Sequence, residues 1–190
     1  MDKALENKLR EQITEVMQAM DARGLNRGTS GNVSGIPPSA LQPEHIVLVD
    51  ADSHFDPEGM RPSSEWRMHQ QLLALRPDVN AVVHCHSRHA TMLACAHREI
   101  PPPYATFGSA ELAESVISTL DGRYASLMAN HGQVVIAPSL KHALLIAEEV
   151  EEQAAIYWGT LAIGGPALLS NDEMSRIMDR FKTYGQKKPG

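Results

Sequence analysis

The sequence predicts an α/β protein in which helices cover a sheet. Two patterns carry that prediction. Apolar residues recur at three-and-four spacing in several long segments, and short apolar runs of strand length stand between those segments. A third observation bounds the size: 190 residues without an internal repeat or a low-complexity linker make one domain, residues 1–190.

Leu5, Leu9, Ile13, Val16, Met17 and Met20 follow helical spacing, with Asp2 as the cap and Gly24 as the stop. Residues 24–35, GLNRGTSGNVSG, are a loop by composition. His45 to Asp50, HIVLVD, reads as a short buried strand. A helix is expected from Ser63 or Ser64 to Arg76, because Pro77 opposes its continuation. Ala81 to Ser87 is strand-like, and a short helix follows from about Arg88. Ser109 starts another, with Glu111 in a first turn where a negative charge suits the helix dipole. Ser126–Ala129 and Gln133–Ala137 read as strands flanking Asn130-His131-Gly132. The longest helical pattern runs from Ser139 to about Ile163, with apolar positions such as Leu144, Ala147, Val150 and Ala154, and stops at Gly164, Gly165 and Pro166. Ser170 to Glu173 form a capping box that opens a last helix toward Tyr184.

Composition excludes several functions. Seventeen Lys plus Arg against 23 Asp plus Glu leave a formal net charge of −6, a poor match to nucleic-acid phosphates. No apolar run approaches the ~20 residues that span a bilayer, and MDKALENKLR lacks a signal-peptide core. Cys85 and Cys95 make no disulfide framework. A soluble, cytoplasmic protein is expected, with neither nucleic acid nor membrane as a partner.

The nine histidines are unevenly placed. His84, His86, His89 and His97 fall within fourteen residues, where even scatter would put about 0.7. In a strand, residues i and i+2 share a face, so His84 and His86 point together while Cys85 points away. Catalytic zinc takes three protein ligands and keeps a position open. His131 is the best third ligand, because Gly132 beside it permits a turn with close backbone approach. An HxH pair alone is also compatible with two polar residues on a half-buried strand. His89 reads as a surface helix residue or a group near the substrate. His45, His54, His69, His97 and His142 read as structural or solvent-facing, and Cys85 as a small core residue.

GTSGN and PSSE look like two anion-binding pieces. Gly28, Gly31 and Gly35 let the backbone approach a ligand, and Thr29, Ser30 and Asn32 bring donors. Ser63 and Ser64 stand at a helix start, where free N–H groups and the dipole favour a phosphate. Each piece by itself is equally a turn or a cap. Glu65 follows directly; a carboxylate beside both a phosphate site and a metal suits general acid/base work.

Taken together, GLNRGTSGNVSG, PSSEWRMHQQLLALRPDVNAVVHCHSRHAT, PYATFG, MANHGQVV and FKTYG resemble the class II aldolase/adducin family along nearly the whole chain. The resemblance implies a three-layer α/β/α fold with a central, mainly antiparallel sheet covered by helices. It also implies a homotetramer with shared active sites, and zinc-dependent cleavage of a ketose 1-phosphate to dihydroxyacetone phosphate and an aldehyde. His84, His86 and His131 match the Zn2+ ligands, and Glu65 matches the catalytic acid/base that also approaches the resting metal. Thr29, Gly31, Asn32, Ser63 and Ser64 match the phosphate pocket. Tyr184 matches a catalytic C-terminal tyrosine that reaches a neighbouring subunit's site.

Family rivals are a methylthioribulose- or deoxyribulose-phosphate aldolase and a ribulose-phosphate 4-epimerase. The epimerases resemble HSRHAT but usually carry an aspartate at the position of Glu65. A non-catalytic adducin-like protein is the rival from another class. The sequence departs from the family at two junctions. A strand pair is absent at 34–35, and a segment with a glycine pair and a second active-site tyrosine is absent at 102–103. A working fold would hardly lose those strands, so both segments are expected in the natural chain.

Overall fold

A computed structural model of the chain describes residues 2–26, 36–100, 119, 120 and 122–181. Helix α1 (Lys3–Ala22) starts as expected: the Asp2 side chain accepts a hydrogen bond from the Ala4 amide, and Gly24 beyond its end takes φ +73°. Helix α2 (Trp66–Leu75) begins later than the serines. Ser63 and Ser64 form a turn ahead of it, and Glu65 is the cap residue. Strand β1 (Ala81–Cys85) leads to helix α3 (Arg88–Cys95). Strands β2 (Ala125–Met128) and β3 (Gly132–Ala137) form a hairpin around residues 129–131. Helix α4 (Leu140–Leu161) is capped by Ser139, whose hydroxyl accepts from the His142 amide. Helix α5 (Asn171–Phe181) opens on Ser170, whose hydroxyl accepts from the Glu173 amide at 3.2 Å.

The sheet is antiparallel in the order β1-β3-β2, with Val83 and Ala125 both opposite Val135. Period-two alternation divides its side chains between two cores. Ala81, Val83, Cys85, Leu127, Val135 and Ala137 face α1, α3 and α4. Val82, Met128, Val134 and Ile136 face Met68 and Leu72 of α2. Helices therefore cover both faces, giving three layers. His84 has the parity of Val82, so it emerges on the α2 side.

One element differs from expectation. HIVLVD is not a strand: residues 43–45 make a single 3₁₀ turn and residues 46–50 carry no regular structure. A continuous apolar run becomes a strand only where another backbone pairs with it, and among the described residues none does. The run instead lines a cavity of about 560 Å³ together with residues of α1 and β1, and Arg10 of α1 donates to the Ile46 carbonyl. The Ser109 helix and both sequence junctions lie outside the described residues, as does Tyr184.

Candidate metal centre

Three separate elements deliver side chains to one point. Glu65 comes from the cap position ahead of α2, His84 and His86 from the end of β1 and the residue just beyond it, and His131 from the β2–β3 hairpin. One ligand atom from each lies within 4.8 Å of the others. His84 Nε2 is 2.9 Å from His86 Nε2. The Glu65 carboxylate lies 2.8 Å from His131 Nε2 and 3.2 Å from His84 Nε2. The three imidazoles meet edge-on, with ring centres 4.7–5.0 Å apart.

Each position has a local cause. His86 lies one residue past the end of β1, yet its ring still turns to the same side as His84. His131 is presented by a loop in which Asn130 adopts φ +56°, with its side chain 3.0 Å from His97 Nε2 and its amide donating to Ala94 at the end of α3. Gly132 follows because nothing larger fits: a Cβ there would stand 2.5 Å from the Cys85 carbonyl oxygen and 2.9 Å from the His86 ring. Cys85 points away into the α4-side core, and burial pushes its thiol up to about 12.

The hydrogen bonding fixes which nitrogen faces the centre. His84 Nδ1–H donates to the Gln133 carbonyl at 2.8 Å, which leaves the Nε2 lone pair pointing inward. Burial holds His84 neutral, its pKa lowered to about 3 against the opposing effect of the Gln133 hydrogen bond. His86 is lowered as well, by burial and then by His131. His131 Nε2 is buried and, although close to Glu65, is not aligned for a hydrogen bond. Three imidazole rings and a carboxylate converging on one point, with a buried His131 Nε2 that has no hydrogen-bond partner, suit a divalent cation. The donor set therefore fits a metal.

Of the residues singled out in the sequence, Glu65, His84, His86 and His131 come together here. Ser63 and Ser64 sit immediately before Glu65, with the Ser63 hydroxyl accepting from the Glu65 amide at 3.3 Å and Ser64 exposed. Thr29, Gly31, Asn32 and Tyr184 lie outside the described residues. His89 is not at the centre; its Nδ1 lies 2.8 Å from Glu151. Sequence reading missed Gln133 and Asn130. A fully buried glutamine inside the apolar run QVVIA is the signal that marks Gln133.

The chain is similar to known proteins in sequence and in fold. Residues 11–158 match the family model of the class II aldolase and adducin N-terminal domain. A 5-methylthioribulose-1-phosphate/5-deoxyribulose-1-phosphate aldolase of Rhodospirillum rubrum is 40% identical, over 93% of this chain and 92% of the relative. An L-fuculose phosphate aldolase of Escherichia coli K12 is also 40% identical, over 94% and 96%. The solved structure of an L-fuculose 1-phosphate aldolase superposes with a TM-score of 0.83 at 29% identity, covering 92% of this chain and 96% of that one. The Rhodospirillum alignment spans 206 positions while using about 177 residues of this chain, so about 29 positions of the relative have no counterpart here.

Proposed function

The chain belongs to the class II aldolase and adducin family, and from that premise we propose that it is a zinc-dependent aldolase acting on a ketose 1-phosphate of the L-fuculose 1-phosphate kind. Its products are dihydroxyacetone phosphate and an aldehyde. The observation that carries this reading is the convergence of Glu65, His84, His86 and His131 around an inward-facing, unbonded His131 Nε2. A non-catalytic adducin-like protein has no use for such a donor set.

His84, His86 and His131 hold the metal in this scheme, and three imidazoles with room for substrate suit zinc. When bound, the cation supplies Lewis-acid stabilisation of the negative charge that develops on the ketone side of the breaking bond. The carbon–carbon bond breaks with its electron pair moving toward the ketone, and the carbon left behind takes a proton from Glu65. In the synthetic direction the Glu65 carboxylate removes that proton. In the family the proton of the hydroxyl whose carbon becomes the aldehyde is taken by a second tyrosine, and the segment that carries that tyrosine is absent from this sequence at 102–103. No lysine Schiff base is required.

Thr29, Gly31, Asn32, Ser63 and Ser64 bind the substrate phosphate. A chain of net charge −6 needs such local donors, because its overall field repels anions. Ser64→Ala is expected to weaken a ketose 1-phosphate by ~1.5–3 kcal/mol while leaving its unphosphorylated ketose nearly unaffected, as calorimetric titration of both ligands will reveal. Equal weakening of the two would reject the phosphate assignment.

The methylthioribulose/deoxyribulose-phosphate reading is the second candidate, supported by the equal 40% identity to the Rhodospirillum enzyme. A 4-epimerase is disfavoured by glutamate at position 65. The proposed assembly is a homotetramer in which Tyr184 serves a neighbour's site. Half-exposed Ile156 and Trp158, with Ile163 84% exposed, offer apolar area that a subunit contact would cover. Mixing a Tyr184→Phe chain with a His131→Ala chain should restore part of the activity each lacks alone; no rescue in verified mixed tetramers would reject the shared site. No helix among the described residues is long and apolar enough to cross a membrane, and the proposed location is the cytoplasm.

A further inference from the structure

Strand β1 ends at Cys85, so His86 stands outside the ladder that fixes His84. Gly132 packs against the His86 ring, and the backbone that carries His86 continues into residues tied to helix α4. The Glu151 carboxylate, projecting from α4, accepts the backbone N–H of His89 at 2.9 and 3.1 Å and that of Ala90 at 3.0 Å. It also accepts from the His89 ring at 2.8 Å and from the Ser87 hydroxyl. Ser87 is the cap residue of α3 but makes no capping bond of its own to that helix, so Glu151 fills that role from across the core.

The same network reaches His84. The Gln133 side chain donates to the Ser87 hydroxyl at 2.8 Å and to the Ala147 carbonyl of α4 at 3.1 Å. Its backbone carbonyl accepts His84 Nδ1–H. Both histidines of the HxH pair are thus referred to one buried frame, His84 through Gln133 and His86 through Ser87. Burial by itself would raise the Glu151 pKa, yet the bonds from Ser87, Ala90 and His89 outweigh it and keep the carboxylate ionised. An ionised carboxylate only accepts, so all of its donors are oriented toward it.

We propose that Glu151 is a positioning residue for the metal centre: its carboxylate holds the Ser87–Ala90 turn and, through that turn and Gln133, sets His86 relative to His84. The inference rests on the metal reading of the site. Groups that orient metal ligands from behind typically change metal affinity 10–100-fold when removed, which a helix cap as such would not do.

The test is zinc titration of the full chain against a chromophoric chelator, paired with the visible spectrum of the cobalt-loaded protein. Wild type, Glu151→Ala, Glu151→Gln and Glu148→Ala are compared, the last removing a surface partner of Arg23 on the same helix. Glu151→Ala should lose ~10–100-fold in zinc affinity with an altered cobalt spectrum. Glu151→Gln, which keeps an acceptor oxygen, should recover part of both, and Glu148→Ala should match wild type. A Glu151→Ala protein with a lowered melting temperature but wild-type zinc affinity and cobalt spectrum would reduce Glu151 to a helix cap and overturn the proposal. If that variant does not fold, Glu151→Gln carries the test, and wild-type affinity in it is the contradicting result. Wild-type protein that takes up no zinc would overturn the metal reading itself.

Discussion

His131→Ala protein is expected to contain no bound metal after zinc reconstitution, where wild type holds about one ion per chain, and to lose at least ~10³-fold in turnover. Coordination number decides the outcome. Catalytic zinc needs three protein ligands, and with His131 gone the remaining two imidazoles depend on the acid/base carboxylate as the third. Losing a Lewis acid worth several kcal/mol accounts for the fall in rate. His131 is the cleaner choice of ligand because it sits on a hairpin loop, so the substitution leaves the sheet ladder intact. His84→Ala should also empty the site, but it additionally leaves the Gln133 carbonyl without its donor in a buried place. Elemental analysis and turnover check both variants. Wild-type protein without metal after reconstitution would revive the adducin-like reading.

Glu65→Gln should lower turnover ~10²–10⁴-fold, the usual contribution of a positioned general acid/base. The amide keeps the shape of the carboxylate at the start of α2 but cannot exchange the proton. Metal content should stay near wild type, since three imidazoles remain. The two variants therefore separate the roles: one loses metal and activity together, the other loses activity with metal in place. Unaltered turnover in Glu65→Gln would make Glu65 only the cap residue of α2.

The local pieces of this centre were legible in the sequence because each is short-range. Period-two geometry put His84 and His86 on one side, and Gly132 marked His131 as the ligand of a tight turn. The meeting of Glu65 with those histidines is a different kind of fact. It depends on β1 pairing with β3 in a register that sets His84 opposite Val134, and on α2 packing over that face. Spacing along the chain carries neither, so the family resemblance supplied it. HIVLVD went the other way: its apolar run is real, but strand formation needs a partner backbone that the local pattern cannot reveal. Glu151 was illegible for a third reason. It is one of four glutamates between positions 148 and 152 on an amphipathic helix, and only the tertiary fold singles out the one that turns inward.

Metal-dependent cleavage of a ketose 1-phosphate is tested most directly by dihydroxyacetone phosphate release from one wild-type preparation in three states: as purified, after chelation, and after zinc is returned. L-Fuculose 1-phosphate and 5-deoxyribulose 1-phosphate serve as the two substrates. Release from at least one of them should vanish with the metal and return in proportion to the zinc rebound. Undiminished release from the metal-free chain, or no release from either substrate by the zinc-loaded one, would contradict it.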